Sequence, residues 1–277
     1  MKIKVIAILM GVLALTNVFA IGNSDSASSG SSAPAPYTIE VGGSTSVTPL
    51  MELFAEEYQK LKPNIKVNIN GTGSGDGINN AGVLYQIGMS SRELTPAEQG
   101  RGLKDTTIAI DGIAVIVNKD NPVNNLTLLQ IRDIYTGAVT DWSQVSNGAL
   151  RGRIAVVSRE EGSGTRGAFE ELVGFQGRLL AGANESTSTG AIKAGIAQNP
   201  NAIGYISLGS VDDTIKAISV GGVAASTANV VNGSYKIARP FIVLTGSNVH
   251  AETAAFIQWM LSAEGQAVVR RSWISVR

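Results

Sequence analysis

The stretch from residue 153 to residue 169 constrains the fold more than any other part of the chain. It reads as an apolar strand that runs into Arg159 and then into the turn Gly-Ser-Gly-Thr at residues 162–165, which opens a helix. The first N–H groups of a helix have no partner inside the helix, and they favour a negative charge. A cation, hydroxyl groups and free N–H groups therefore meet at one point, which predicts a binding site for an anion.

Two further loops have the same composition: residues 42–46 read Gly-Gly-Ser-Thr-Ser, and residues 71–77 read Gly-Thr-Gly-Ser-Gly-Asp-Gly. A serine before a helix is usually only an N-cap, but a cap needs one hydroxyl and does not need glycines on both sides. Three such loops and one arginine favour a single shared anion site. The donors predicted from these loops are Ser44, Thr45, Ser46, Ser74, Arg159, Ser163, Gly164 and Thr165.

Apolar strands alternate with amphipathic helices along most of the chain, which is typical of an α/β fold with a mainly parallel sheet. The apolar run at residues 107–118 is long enough to cross from one lobe to another. The other predicted strands are residues 37–41, 64–70, 86–90, 153–157, 202–207 and 237–244. The predicted helices are residues 49–61 (capped by Ser46 or Thr48), 77–84, 127–135, 164–173, 190–198, 251–261 and 263–270, and Thr95 begins a capping box.

The N-terminus has the build of a secretory signal, with Lys2 and Lys4, an apolar core and a small-residue site that predicts cleavage after Ala20. An uncleaved membrane anchor stays open as an alternative. Residues 21–36 are rich in Ser, Ala, Pro and Gly and predict a flexible leader. The chain has no cysteine, which excludes disulfides and a lipid-modified cysteine. We therefore expect a soluble periplasmic protein.

Composition also argues against several function classes. Without Lys2 and Lys4 the chain has 20 basic and 22 acidic residues, so nucleic acid is not an expected partner. With one histidine, His250, and no cysteine, neither a metal site nor a catalytic base is predicted. Residues 162–167 fit the letters of a dinucleotide fingerprint, with Glu185 as the acid, but the polar residues between strand and glycines weaken that match.

The chain resembles the periplasmic phosphate-binding proteins of ABC phosphate importers, a family of two-lobed solute-binding proteins. The resemblance covers about residues 38–270, and its most specific motif is Arg159-x-x-Gly-Ser-Gly-Thr. The other motifs are Gly-Ser-Thr-Ser at 43–46 with Pro49, Gly-Thr-Gly-Ser-Gly at 71–75, Ile-Gly-Met-Ser-Ser-Arg-Glu at 87–93, Asn-Leu-Thr at 125–127, Ile-Tyr-Thr-Gly at 134–137 with Asp141-Trp142, Ala-Ile-Gly-Tyr at 202–205 and Ala-Glu-Gly-Gln at 263–266.

The resemblance implies a two-lobed (type II) α/β periplasmic binding protein, without cofactor, that binds one inorganic phosphate in the interlobe cleft. We expect lobe 1 at residues 37–110 plus 235–277 and lobe 2 at residues 111–234. The expected partners are the inner-membrane permease subunits of an ABC importer, and the protein is expected to be a monomer. The resemblance adds Ser91 to the predicted phosphate-binding residues. Many family members have an aspartate at this position, which accepts the proton of hydrogen phosphate.

That serine leaves selectivity open, because a hydroxyl cannot reject sulfate by charge as a carboxylate does. Asp76, just after Ser74, is a candidate acceptor, although it can equally favour the N-terminus of its helix. The alternatives are a binding protein for another oxyanion, such as sulfate, molybdate or tungstate, and a secreted phosphoryl-transfer or dinucleotide enzyme.

Overall fold

The computed structural model describes residues 35–277, which form one compact unit. The predicted signal and nearly all of the predicted leader lie outside the described residues. Among the helices in the described part, none is long and apolar enough to cross a membrane.

Eleven strands and nine α-helices are found within residues 35–277. The strands are β1 (Tyr37–Gly43), β2 (Ile65–Gly71), β3 (Ile87–Ser90), β4 (Lys104–Asn118), β5 (Asn125–Leu126), β6 (Ala155–Arg159), β7 (Asn184–Ser186), β8 (Ala202–Ser207), β9 (Ile215–Ala217), β10 (Ser219–Val220) and β11 (Ala238–Thr245). The helices are α1 (Thr48–Leu61), α2 (Ser74–Asn80), α3 (Pro96–Gln99), α4 (Leu128–Thr136), α5 (Gly164–Val173), α6 (Thr189–Gln198), α7 (Thr227–Val231), α8 (Ala251–Met260) and α9 (Ala263–Val269).

Nine of these strands form one sheet, in the order β2-β1-β3-β11-β4-β8-β6-β7, with β9 also paired to β4. Strands β1, β2 and β3 are parallel to one another, and β6 is parallel to β7 and β8. Strand β11 is antiparallel to β3 and β4, and β4 is antiparallel to β8. Strands β5 and β10 form a small separate parallel pair. The α/β arrangement is as predicted, with β4 and β11 at its centre, but the sheet is mixed: it has four parallel and four antiparallel strand pairs and is not mainly parallel.

Strand β4 links the two halves of the sheet. Its first part pairs with β11 up to Gly112, and its second part pairs with β8 from Ile113 onward. It contributes Ile108 and Ala109 to one large hydrophobic cluster and Ile113, Val115 and Val117 to another. The long apolar run at residues 107–118 therefore crosses between two cores, as predicted. The exact lobe boundaries stay a prediction.

Aromatic side chains fill both cores. The first surrounds Phe54, Phe241 and Trp273, which join α1, β11 and the segment after α9. The second contains Trp142 and a stack of Phe169 on Tyr205, whose ring centroids lie 4.0 Å apart. Because Phe169 belongs to α5, this packing fixes the helix that follows Arg159.

Three details of the sequence-based prediction are wrong. Helix α1 is preceded by Val47, which makes no side-chain cap, so neither Ser46 nor Thr48 caps it. Strand β6 is shifted by two residues and ends at Arg159 itself. Helix α2 begins at Ser74, earlier than predicted, and so brings this serine to a helix start. By contrast, α5 has the predicted bounds, and Thr95 forms the predicted capping box.

Candidate functional site

The predicted loops meet at one edge of the sheet. Strands β1, β2 and β3 are parallel, so their carboxyl ends, where Ser44, Gly71 and Ser90 lie, face the same way. Strand β6 ends at Arg159, and α5 starts five residues later. The local order of strand, glycine-rich turn and helix therefore places hydroxyl groups and helix N-termini around a common point.

The first wall of the site consists of Ser44, Thr45, Ser46, Ser74 and Ser91. Ser44 donates a hydrogen bond to Ser91 with 2.9 Å between the Oγ atoms, and the Oγ atoms of Ser74 and Ser91 lie 3.3 Å apart. Ser91 N–H also donates to Ser74 Oγ over 3.2 Å. The four serines are at most 2% exposed. Each hydroxyl can redirect its hydrogen, so this wall can donate several hydrogen bonds to one anion.

The second wall consists of Arg159, Ser163, Gly164, Thr165 and Thr189. Ser163 is the N-cap of α5 and accepts a hydrogen bond from Arg166 N–H. Ser163 thus caps α5 through its hydroxyl oxygen, and the hydroxyl hydrogen stays available for another acceptor. Thr189, which sequence reasoning did not identify, begins α6 and is buried.

Direct contacts join the two walls. The hydroxyls of Ser46 and Thr165 lie 2.8 Å apart, and those of Thr45 and Thr189 lie 3.3 Å apart. Gly75 N–H donates to the carbonyl oxygen of Gly162 over 2.9 Å. Residues separated by more than 100 positions in the chain thus form one cluster of hydroxyls, as the three-loop pattern predicts.

Gly164 allows this close approach. A Cβ atom at this position would lie 2.4 Å from Ser74 Oγ and 2.9 Å from Ser91 Oγ. Gly43 is needed for a different reason: its φ of 133° lies outside the range that other residues adopt readily. Gly43 and Gly164, each next to a hydroxyl-bearing residue, are therefore required by the geometry, which a simple capping role does not explain.

Arg159 is 3% exposed at its side chain, and its guanidinium is held from one side. Nε and Nη2 donate to the carboxylate of Glu160 over 2.8 and 2.7 Å, and the same nitrogens donate to the carbonyl oxygens of Ser186 and Thr187. Within residues 35–277, Nη1 makes no hydrogen bond. The ion pair with Glu160, the simple alternative for this arginine, is present and fixes the direction of the remaining donor.

Comparison with known proteins identifies the family. A match to the PBP superfamily domain spans residues 28–264. Phosphate-binding protein PstS of Bacillus subtilis is 31% identical over 219 residues, which cover 78% of this chain and 71% of that protein. The chain belongs to this PstS family. Phosphate-binding protein PstS of Borreliella burgdorferi is 28% identical over 246 residues, which cover 83% of this chain and 87% of that protein.

Solved structures of the family have the same fold. A putative phosphate ABC transporter substrate-binding protein from Clostridium perfringens, with bound phosphate, is 46% identical, with a TM-score of 0.85 over 87% of this chain and all of that chain (100%). An ABC-type phosphate transport receptor from Vibrio cholerae is 36% identical, with a TM-score of 0.71 over 86% of this chain and 100% of that chain. The fold is therefore the mixed α/β fold of periplasmic binding proteins.

In this PstS-family chain, sequence reasoning missed a second buried arginine at the site. Arg239 on β11 donates through Nη1 to Thr165 Oγ1 over 2.8 Å and to the carbonyl oxygen of Ser91 over 2.9 Å. Its other nitrogens, Nε and Nη2, donate to Asp111 Oδ2 over 3.3 and 3.1 Å. Asp111 and Arg239 could have been recognised in the sequence, because each is the single charged residue within an apolar strand, at residues 107–118 and 237–244 respectively.

The Asp111–Arg239 pair is strongly affected by burial. Burial raises the pKa of Asp111, whereas Arg239 and the Ser207 hydroxyl act to lower it. Burial also lowers the pKa of Arg239; Asp111 opposes this change and Arg159 adds to it. The positive charge of Arg159 is thus one cause of the lowered pKa of Arg239, and an anion between the walls would act in the opposite direction.

Asp76 does not face the hydroxyl cluster of this family member. Its carboxylate accepts hydrogen bonds from Thr72, Asn80 and Tyr85, and these bonds lower its pKa although burial acts to raise it. The first candidate acceptor is therefore committed to its own loop and to α2. Position 91 has a serine hydroxyl and no carboxylate. The carboxylate of Glu160, next to the site, already accepts hydrogen bonds from Arg159.

The structure gives no support to the enzyme alternatives. His250 is the N-cap of α8, accepts a hydrogen bond from Glu252 N–H and stacks on Tyr37. Glu185, the acid of the weak dinucleotide pattern, is 49% exposed and pairs with Arg166. In the described part of the chain, no group of three or more His, Cys, Asp or Glu side chains could hold a metal.

Proposed function

We propose that this chain binds inorganic phosphate between the two walls and delivers it to an ABC importer. The observation that carries the proposal is the convergence of buried hydroxyls from both walls on the start of α5, beside Arg159. A tetrahedral oxyanion has four acceptor oxygens, so burying it requires many hydrogen-bond donors. Hydroxyls and backbone N–H groups supply them without a large positive charge. The site offers hydroxyls, free helix N–H groups and the Nη1 atom of Arg159.

The names of the relatives support phosphate as the ligand. The Clostridium perfringens protein, which is 46% identical, has bound phosphate, and the Bacillus subtilis relative is named a phosphate-binding protein. Because the family consists of binding proteins and His250 only caps α8, the proposed role is capture and delivery of the ion rather than its chemical conversion.

The contacts between the walls support the proposal that the protein binds its ligand by closure of two lobes. The predicted lobes are residues 37–110 plus 235–277 and residues 111–234, and β4 spans the boundary between them. An anion that touches both walls makes more contacts in the closed state, and it therefore shifts the population toward that state. The closed form would then be the one recognised by the permease subunits.

The proposed location is the periplasm, after cleavage of the signal near Ala20, and the proposed working form is a monomer. The motivation is the basic, apolar and small-residue pattern at the N-terminus. N-terminal sequencing of the exported protein checks it: a mature chain that starts near residue 21 is expected, and an intact Met1 would contradict cleavage.

A second candidate ligand is sulfate or another fully deprotonated oxyanion. Ser91 favours it, because this position has a hydroxyl bound to Ser44 and Ser74 instead of a carboxylate. A carboxylate would repel sulfate while accepting the proton of hydrogen phosphate.

Calorimetry with phosphate, sulfate, molybdate and tungstate, together with a phosphatase assay on the same sample, separates these functions. We expect phosphate to bind tightest, with no release of phosphate from an ester. Equal or tighter binding of sulfate would overturn the phosphate assignment, and ester hydrolysis would support the enzyme alternative.

A further inference from the structure

A buried ion pair lies directly behind the hydroxyl cluster. Arg239 on β11 and Asp111 on β4 are register partners, and their side chains are 2% and 1% exposed. Ser207, at the end of β8, donates to Asp111 Oδ1 over 2.8 Å. The guanidinium also lies over the ring of Phe241, with 5.2 Å from its central carbon to the ring centroid. The pair thus sits on the two strands that join the halves of the sheet.

Stability alone is a poor explanation for such a pair. Removing two charges from water costs several kcal/mol per ion, and apolar residues of similar volume are often equally stabilising. The surroundings offer apolar partners such as Phe241 on the same strand. The other contacts of the guanidinium therefore indicate what the pair does.

Those contacts reach both walls of the site. Nη1 donates to the carbonyl oxygen of Ser91 in the first wall and to the hydroxyl oxygen of Thr165 in the second. Nε and Nη2 are turned toward Asp111. Arg239 therefore contacts both walls through Nη1, whereas Nη1 of Arg159 makes no hydrogen bond within residues 35–277.

The contact with Thr165 fixes the direction of one hydroxyl. A guanidinium can only donate, so Thr165 Oγ1 is the acceptor of this bond. The single hydrogen of that hydroxyl must then point elsewhere, either to Ser46 Oγ at 2.8 Å or to an anion between the walls. Arg239 thereby makes Thr165 a donor toward the site.

We propose that Arg239, oriented by Asp111, is a positioning residue of the anion site that fixes the Thr165 hydroxyl as a donor. This inference rests on the proposed binding of phosphate. It predicts that the energetic effect of Arg239 depends on the hydroxyl of Thr165, whereas a general structural or electrostatic role would be independent of it.

A double-mutant cycle tests this dependence. The four proteins are wild type, Arg239→Gln, Thr165→Val and the combination, each titrated with inorganic phosphate by equilibrium dialysis up to millimolar concentrations, so that weakened variants stay measurable. Arg239→Gln is expected to weaken binding by about ten- to a hundredfold in the wild-type background. In the Thr165→Val background, the same change is expected to have less than about a threefold effect.

A matched control is Tyr235→Phe, which removes another buried hydrogen bond, from the Tyr235 hydroxyl to the carbonyl oxygen of Ile113 on β4, without a contact to either wall. We expect its affinity for phosphate to equal that of wild type. If Arg239→Gln does not fold, the pair Asp111→Asn with Arg239→Gln removes both charges together and replaces it in the cycle.

Unchanged affinity in Arg239→Gln, or an equal loss in both backgrounds, would overturn the positioning role. Both results are distinct from failure of the proposed function, which would appear as absence of phosphate binding by the wild-type protein. Arg239→Lys adds a further readout: because an ammonium group lacks the planar fork, it is expected to restore only part of the lost affinity.

Discussion

The site contains two buried arginines whose surroundings differ. Arg159 pairs with its chain neighbour Glu160, whose side chain is 26% exposed, at the end of β6. Arg239 pairs with Asp111, a residue 128 positions away, and both side chains are at most 2% exposed. The first pair belongs to a loop that can face a ligand, and the second to strands that support the site. A buried arginine near a binding site can thus serve either as a ligand donor or as a support, and its counter-charge distinguishes the two roles.

The largest expected effect is on stability, at the Asp111–Arg239 pair. Asp111→Ala leaves the guanidinium of Arg239 buried without its counter-charge, so we expect the free energy of unfolding to fall by about 3–5 kcal/mol. Glu160→Ala, the matched change at the other arginine, is expected to cost less, about 1–2 kcal/mol, because Glu160 is 26% exposed and the carbonyl oxygens of Ser186 and Thr187 still accept hydrogen bonds from Arg159. Urea unfolding measures both. Equal losses in the two variants would remove the distinction between the pairs.

The next largest effect is on the affinity for phosphate, at the Arg159–Glu160 pair. Arg159→Ala removes the proposed direct donor, and phosphate affinity should fall at least about a hundredfold. The circular-dichroism spectrum is expected to stay that of the folded protein. Arg132→Ala, at a side chain that is 42% exposed, serves as control and should bind like wild type. If Arg159→Ala bound phosphate normally, the assignment of this arginine would be wrong.

A smaller loss of phosphate affinity is expected when a substitution disturbs the close contact between the two walls. Gly164→Ala places a methyl group 2.4 Å from Ser74 Oγ and 2.9 Å from Ser91 Oγ, so these serines or the facing loop must shift, and affinity for phosphate should fall by about tenfold or more. Gly162→Ala in the same loop meets no atom within 4 Å and is the control. Calorimetry compares the two, and similar affinities would show that the walls need not approach so closely.

The smallest expected effect concerns selectivity at Ser91, whose carbonyl oxygen binds Arg239. Ser91→Asp introduces a carboxylate that accepts the phosphate proton and repels sulfate, so the ratio of phosphate to sulfate affinity should rise by about tenfold. Ser91→Asn has the same shape without the charge and should change the ratio less. Competitive titration measures the ratio, and a rise that is equal in both variants would exclude the charge as its cause.

Local signals in the sequence predicted the first arginine and its loop. The bounds of α5 and the cluster around Ser44, Ser46 and Ser74 follow from glycine, serine and threonine in fixed order next to apolar strands. Such patterns act over a few residues, so they can be recognised in one sequence.

Long-range pairing was harder to predict. Arg239 contacts Thr165 across 74 positions, and Thr189 reaches Thr45 across 144. A single charge in an apolar strand could have identified Asp111 and Arg239 as unusual, but their pairing depends on the register of β4 and β11. The cap of α1 was predicted wrongly for a related reason, because the Ser46 hydroxyl is engaged by Thr165 and Thr189 of the facing wall.

We propose that phosphate is held between the two walls, with Arg159 as a direct donor and Arg239 behind it. A crystal structure from crystals grown with inorganic phosphate tests this arrangement. We expect one phosphate within hydrogen-bond distance of Ser44, Ser74 and Ser91 on one side, and of Arg159 Nη1 and Thr165 on the other. A phosphate bound outside this cluster, or one that contacts Arg239 in place of Arg159, would contradict the account.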